Sequence, residues 1–252
     1  MPAFLVNISG SIEWFIKRFY TDIIESGNWR YLTNGLLVTL RVTFFALLIG
    51  IAIGIIIAVV RSSWDQLEGN LKKGPFRFLL RFFDAICRLY LTVIRGTPVI
   101  VQIFVMFFVI FPALLPSFDK NAAAILTFGI NSGAYVAEII RGGIMSIDKG
   151  QSEAGRSLGF GYVPTMLHIV LPQAVKNILP ALANEFIVLL KETAIFGVIG
   201  GSDLMRGADI IISITYSATV PLITIAVMYL VMVMFFSWLV GLLERRLRKS
   251  DH

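Results

Sequence analysis

The chain has 252 residues, of which 57% are hydrophobic and only 15% are charged, with 22 Lys and Arg against 16 Asp and Glu. This composition and a mean hydropathy of +0.81 exclude an ordinary soluble domain, in which about 25% of residues are charged. The apolar residues form runs long enough for helices that cross a bilayer, without the alternation of β-barrel strands. The single cysteine, Cys87, excludes an intramolecular disulfide framework and a multi-cysteine metal site.

In chain order, residues 11–25 have the apolar spacing of a helix with a charged side, which favours a position flat in the membrane interface. The basic segment 61–88 is predicted to form a second interfacial element. Within the first apolar run, Gly50 and Gly54 have a spacing that permits close helix approach. Pro112 and Pro116 are expected to end the second run. Five spanning helices are predicted, at 36–60, 89–111, 122–140, 176–198 and 218–243.

The distribution of Lys and Arg predicts the orientation, because these residues accumulate in cytoplasmic loops. Fourteen of the 22 fall in one set of loops, five in the opposite set and three inside spans. The N-terminus is therefore expected outside and the C-terminus in the cytoplasm. We divide the chain into an outer interfacial segment, 1–30, and a single transmembrane domain, 31–252.

A polar segment of about 148–172 interrupts the apolar runs on the predicted cytoplasmic side. Asp148 is placed to cap a helix starting at Lys149, with Gln151 completing a capping box. Gly159 suits a left-handed stop at the far end. Pro164 is expected to begin a new helical turn. The segment is either an ordinary linker or a short helix that docks another protein.

The spacing within this segment resembles the Glu-Ala-Ala loop of bacterial ATP-binding cassette importer permeases. Glu153-Ala154-Gly155 is followed by Gly159 and then by Leu171-Pro172. In that family the loop forms a coupling helix that inserts into an ATPase subunit. The resemblance therefore implies that ATPase coupling is carried by Glu153, Ala154, Gly155, Ser157, Leu158 and Gly159.

Three further stretches resemble the polar amino acid branch of the same family, which includes histidine, glutamate, glutamine, arginine and opine importers. They are Arg95-Gly96-Thr97-Pro98 with Gln102, the segment 132–144 and the segment 184–200. The chain departs from the family pattern at three positions. Gly155 replaces the usual second alanine, Pro164 stands where a polar residue is common, and His168 replaces Arg or Lys.

The resemblance implies an all-α integral membrane protein with the architecture of a type I importer permease. It implies that this chain lies in the bacterial cytoplasmic membrane as a homodimer or as a pair with a related permease. Two cytosolic ATPase subunits and an extracytoplasmic substrate-binding protein are the implied partners. The chain has no phosphate-binding loop of the G-x-x-x-x-G-K-[ST] type. ATP and Mg are therefore assigned to the partner ATPase, and this chain is expected to be a transport subunit without enzymatic activity, cofactor, metal or nucleic acid, in contact with membrane lipid.

Charged residues inside spans usually face protein or a water-filled cavity. Arg95 is expected either to extend toward the headgroups or to act in gating. Glu138 and Arg141 are spaced to pair with each other. Ser132 and Tyr135 are either pathway-lining or packing residues.

Lys191 and Glu192 are predicted to lie deep in the fourth span and to point about 100° apart. A zwitterionic amino acid presents a carboxylate and an ammonium group, which these two side chains could match. Asn184 and Thr193 would then supply neutral hydrogen bonds. The alternative is that Lys191 and Glu192 form ion pairs between helices, with Arg95 or across a dimer.

Two other classes of protein compete with the importer permease. A secondary transporter or channel would usually carry inverted repeats or broken helices in corresponding halves, and no such pair is visible in the sequence. A membrane-embedded enzyme would need a catalytic constellation, whereas the carboxylates here are scattered singly.

Overall fold

The computed structural model describes residues 3–67, 74–114 and 119–248, and it places helices along nearly all of these ranges. The longest are α2 (Trp29–Leu67), α3 (Pro75–Gly96), α6 (Lys120–Met145), α9 (Leu171–Glu192) and α12 (Thr219–Arg248). The shorter helices are α1 (Ala3–Phe19), α4 (Val99–Val105), α5 (Phe111–Leu114), α7 (Lys149–Ser157), α8 (Tyr162–Thr165), α10 (Ile195–Val198) and α11 (Leu204–Thr215). Three π-helical turns continue α1, α4 and α8, at Tyr20–Glu25 (π1), Met106–Ile110 (π2) and Met166–Val170 (π3).

Among the described residues, three helices are long and apolar enough to cross a membrane: Trp29–Asp65, Lys120–Met145 and Thr219–Leu247. A bent pair, Pro75–Gly96 with Val99–Leu114, makes a fourth span if it counts as one. These four correspond to predicted spans one, three, five and two. The predicted fourth span falls on α9, whose polar residues, including Lys176 and Glu185, keep it out of this group. The number five therefore stays a prediction.

The basic segment 61–88, which the sequence predicted to be one interfacial element, is divided between two long helices. Its first part completes α2, which runs on to Leu67, and its last part begins α3 at Pro75. Proline suits this position, because the first turn of a helix leaves its backbone donors unpaired. The residues between, 68–73, lie outside the described part of the chain.

The second predicted span, 89–111, is broken rather than continuous. The helices on either side of Thr97 and Pro98 meet at 108°. Thr97 is extended, with φ −122° and ψ 145°, because a residue before proline avoids the helical region. Pro112 does not end the span as predicted but lies within α5. Pro116 lies outside the described residues.

The chain forms two compact units, one of 1–42 and 190–235 and one of 43–189 and 236–252. The first unit has an apolar core around Leu204, Ile211 and Val220, against which Phe15 and Phe19 pack. The helical prediction for 11–25 is confirmed, since α1 and π1 cover it. Asp22, however, is buried and does not lie on a solvent-exposed charged face. Its carboxylate oxygen is 3.6 Å from a guanidinium nitrogen of Arg18.

The second unit is built on a close crossing of α2 and α6. A Cβ atom added at Gly54 would lie 2.8 Å from the Cβ of Val136 and 2.9 Å from the amide nitrogen of Ala137. Gly50 meets Ser132 in the same way, at 2.9 Å from its hydroxyl oxygen. The predicted role of the Gly50 and Gly54 spacing in helix approach is thus confirmed.

Candidate functional site

The polar segment after α6 folds into a short helix with two defined ends. Asp148 caps α7, since its carboxylate accepts a hydrogen bond of 2.6 Å from the Gly150 amide. At the other end, Gly159 has φ +84°. Its amide donates to the Arg156 carbonyl, and the Phe160 amide donates to the Gly155 carbonyl, which together form a Schellman motif.

The predicted capping box does not form. The Asp148 side chain bonds Gly150 rather than Gln151. The side-chain oxygen of Gln151 instead accepts from the amide of Gln173, at 3.2 Å. This bond ties α7 to the start of α9, a connection that sequence spacing alone did not indicate.

α7 presents most of its predicted coupling residues to the surface. Glu153, Ala154, Ser157 and Leu158 are exposed, and Leu158 retains 75% of its accessible area. The Ser157 hydroxyl donates to the Glu153 carbonyl within the helix. The result is an exposed carboxylate and an exposed leucine on one small helix.

Gly155 faces inward and fixes how closely α7 approaches the segment that follows it. A Cβ atom at this position would lie 2.9 Å from the terminal methyl of Ile169 and 2.9 Å from the Thr165 methyl. Thr165 is itself held, because its hydroxyl donates to the Gly161 carbonyl at 2.9 Å. The departure from alanine at Gly155 therefore allows this tight packing.

The other two departures also fit the local structure. Pro164 lies in the first turn of α8, where its missing N–H has no intrahelical acceptor to lose. His168 is exposed, with Nδ1 at 3.0 Å from the Pro164 carbonyl oxygen.

A polar cavity of about 660 Å³ lies among the ends of α2 and α3 and the middle of α6. Arg95 and Tyr135, both predicted pathway residues, line it together with Glu138. The Arg95 guanidinium lies 3.7 Å from the Glu138 carboxylate and 6.0 Å from the centre of the Tyr135 ring. The predicted pair of Glu138 with Arg141 is confirmed at 3.2 Å.

Arginines dominate the charge of this cavity. Arg61 and Arg88 line it along with Arg95. Both are also close to Asp84, at 3.9 Å and 2.7 Å, and this carboxylate is buried. Since Asp84 and Glu138 must balance four guanidinium groups including Arg141, the cavity has an excess of positive charge and would attract an anionic group.

Gln102 holds the bend between α3 and α4. Its amide nitrogen donates to the carbonyl oxygens of Ile94 and Thr97, at 2.7 and 3.0 Å. Its side-chain oxygen accepts from Asn131 of α6 at 2.8 Å. The sequence identified Gln102 as part of a motif but could not indicate its partner Asn131, which lies 29 residues further along the chain.

The remaining predicted pathway residues divide by exposure. Ser132 is fully buried and donates to Glu185 of α9 at 2.9 Å, and Thr193 is fully buried and donates to the Leu190 carbonyl. Asn184 and Lys191 are exposed, and Glu192 is partly exposed.

Lys191 and Glu192 do not lie deep inside a helix, because α9 ends at Glu192. The predicted span 176–198 is thus shorter, and α10 is a separate turn. Glu185, which accepts a side-chain hydrogen bond and is partly buried, is a carboxylate that the sequence reasoning missed. Its signal was a charge inside the apolar segment 184–200.

Comparison with known proteins places this architecture in a family. The family model for the binding-protein-dependent transport system inner membrane component matches residues 74–249. The arginine transport system permease protein ArtQ of Bacillus subtilis is 37% identical over 221 residues, covering 88% of this chain and 94% of that protein. The glutamine transport system permease protein GlnP of Escherichia coli is 33% identical over 218 residues, covering 86% and 93%.

A solved structure agrees with these sequence relatives. The crystal structure of an amino acid ABC transporter with histidines aligns with a TM-score of 0.78 and 41% identity, covering 88% of this chain and 96% of that chain. The long apolar helices, the capped helix α7 and the extent of these matches lead to one assignment. The chain belongs to the family of binding-protein-dependent transport system inner membrane components, the permease subunits of ABC importers.

Proposed function

We propose that this chain is the transmembrane subunit of an ATP-driven importer of a polar amino acid. Two permease subunits, identical or related, form the pathway with two ATPase subunits and a substrate-binding protein on the outer side. ATP and Mg are bound by the ATPase. Alternating access moves the substrate. The relatives named as arginine and glutamine permeases support the substrate class.

The observation that carries this proposal is the exposed face of α7. A helix with an N-cap at Asp148 and a Schellman stop at Gly159 is held in one geometry at both ends. It therefore transmits a displacement as a unit. Glu153 and Leu158 are the groups we assign to the ATPase contact.

Charge reversal tests the coupling. In the complex reconstituted with ATPase and binding protein, we expect Glu153→Lys to lower substrate-stimulated ATP hydrolysis by more than tenfold, because a like-charge contact at an interface costs several kcal/mol and about 1.4 kcal/mol already corresponds to tenfold. Membrane insertion should not change. Glu25→Lys, at an exposed glutamate outside the loop, serves as the matched control. Full stimulation in the Glu153 variant would overturn the assignment.

We assign the cavity around Arg95 to the substrate pathway. Its volume, about 660 Å³, is within the usual range for small-molecule sites, roughly 300–1,000 Å³. Arg95 and Arg141 both pair with Glu138, so the Arg95 guanidinium retains N–H donors for a substrate carboxylate. Glu138 faces the same cavity and offers an acceptor for the ammonium group. Lys191 and Glu192 remain the alternative pair for the same two groups.

Neutralising Arg95 tests the pathway. We expect Arg95→Gln to weaken substrate uptake by roughly tenfold or more, since hydrogen bonds to charged groups contribute about 1.5–3 kcal/mol. Basal ATP hydrolysis should persist. Arg81→Gln is the control, because Arg81 is an exposed arginine of α3 that does not line the cavity. Uptake equal to that of the control would remove Arg95 from the pathway.

A further inference from the structure

A second cavity of about 550 Å³ lies within the 43–189 part of the chain, and its lining is almost wholly apolar. We call it the apolar trough. Its walls come from α2, the end of α6, the segment formed by α8 and π3, and α9. Representative lining residues are Ile55, Val59, Ile140, Val163, Leu167 and Leu179.

The trough has the length of one membrane leaflet. Its α2 wall extends from Ile51 to Ser63, which is about 18 Å at 1.5 Å per residue. Half of a bilayer's hydrocarbon core is about 15 Å thick. The trough thus spans the depth that one lipid acyl chain occupies.

The lining of the trough is polar at one end and apolar along the rest, as a phospholipid chain is polar at its ester and apolar beyond it. Hydroxyl groups occur in its lining at Ser62, Ser63 and Tyr162, where α2 nears its end and α8 begins. The part of the α2 wall from Ile51 to Val59 is apolar. No charged side chain is among the described residues that line it. This gradient fits the ester end of a lipid beside the hydroxyls and its methylene chain beyond them.

The trough is open to the surroundings of the chain along its length. In a bilayer those surroundings are the acyl chains of lipids. The aliphatic side chains of Val59 and Val163 remain exposed, at 60% and 58%, and burying such surface is favourable.

We propose that the trough binds one acyl chain of a phospholipid from the leaflet on the side of α7. The bound chain contacts Val163 and Leu167 of the α8–π3 segment. The other side of that segment, at Thr165 and Ile169, packs against Gly155 of α7. The lipid chain thus supports the segment on which the candidate coupling helix rests.

Photo-crosslinking tests the site. The permease complex is placed in vesicles of phosphatidylethanolamine and phosphatidylglycerol that contain phosphatidylethanolamine with a mid-chain diazirine, and labelled peptides are mapped by mass spectrometry. We expect labelling to concentrate on trough residues of α2 and α9. In Val59→Trp it should fall roughly tenfold, because the indole displaces two or more methylenes from the trough. Ile56→Trp is the matched control, since Ile56 is an exposed α2 residue outside the lining.

Three results would overturn the proposal. The first is labelling of the Val59 variant at the level of the Ile56 control, and the second is labelling spread evenly over the exposed apolar side chains of α2. The third is efficient crosslinking of two copies through Leu179→Cys, which would identify a protein occupant. Neither readout requires transport or ATP hydrolysis, so failure of the lipid site is distinguishable from failure of the proposed function.

Discussion

At the scale of single residues, Asp203 is a buried carboxyl group with a local structural role. It caps α11, where its two oxygens accept from the amides of Met205 and Arg206 at 3.4 and 3.2 Å. Burial is the largest influence and raises the pKa of Asp203 to about 6, against the lowering effect of these hydrogen bonds. Between pH 3.8 and about 6, the folded chain therefore holds a proton on this carboxyl group that the unfolded chain releases.

The sign of the resulting pH dependence follows from this difference. Between about pH 4 and 6 the folded state binds more protons than the unfolded state, so stability is greatest below pH 4 and falls as pH rises through 6. The effect amounts to about 3 kcal/mol at most. We expect Asp203→Asn to remove this part of the pH dependence, because the amide oxygen still accepts at the cap and the group stays neutral.

Thermal unfolding of the purified permease complex measures this prediction. The Tm of the Asp203→Asn variant relative to the parent should rise between pH 4 and pH 7. Asp209→Asn provides a control, since Asp209 is another aspartate of α11 that is only partly buried. A pH-independent difference between parent and variant would contradict the raised pKa.

At the scale of elements, the α2–α6 crossing depends on glycines whose surroundings leave no room for a side chain. Gly129 and Gly133 of α6 face Ile49 and Ile53 of α2 in the same manner as Gly50 and Gly54 face α6. Both helices thus contribute a pair of glycines four residues apart. This reciprocal arrangement brings the two backbones together.

Alanine at Gly54 is expected to destabilise the crossing. The new methyl group would meet the Ala137 backbone nitrogen at 2.9 Å, and backbone cannot move aside as a flexible side chain can. Overpacking of this kind costs about 1–3 kcal/mol, so the Tm of the complex should fall. Gly142→Ala is the matched control, because a Cβ at Gly142 of α6 meets nothing within 4 Å and alanine gains about 1 kcal/mol in helix propensity. Equal Tm changes in both variants would contradict the close crossing.

The break between α3 and α4 is the element that sequence reading predicted least well. The residue before Pro98 is disfavoured in a helix, yet by hydropathy the run 89–111 is continuous and predicts a single span. The angle of 108° is held by Gln102, which bonds carbonyl oxygens before the break and Asn131 across it. Hydropathy does not encode such bonds, because they depend on where side chains from distant positions meet.

At the scale of the whole molecule, the orientation predicted from loop charge has a direct test. In a Cys87→Ser background expressed without the ATPase subunits, a membrane-impermeant maleimide should label Tyr216→Cys from outside the cell and Leu158→Cys only in inverted vesicles. Both positions are well exposed, at 94% and 75%, so accessibility to the reagent depends on the side of the membrane. Labelling of both positions from the same side would contradict the predicted orientation.

The sequence alone predicted the apolar runs, the membrane class, the helix α7 with its ends at Asp148 and Gly159, and the close packing at Gly50 and Gly54. These features depend on local properties, because hydropathy, capping and glycine spacing act within a few turns of helix. The family also followed from four short motifs in the right order, and the comparisons bear it out.

The tertiary structure alone decided which polar residues meet. It joined Arg95 to Glu138, Ser132 to Glu185 and Gln102 to Asn131, partners separated by 29 to 53 residues in the chain. It also placed Gly155 against Thr165, and it ended α9 at Glu192. Pairings of this kind depend on how whole helices pack. The sequence pattern therefore indicates which polar residues are candidates, and the tertiary structure determines which of them are in contact.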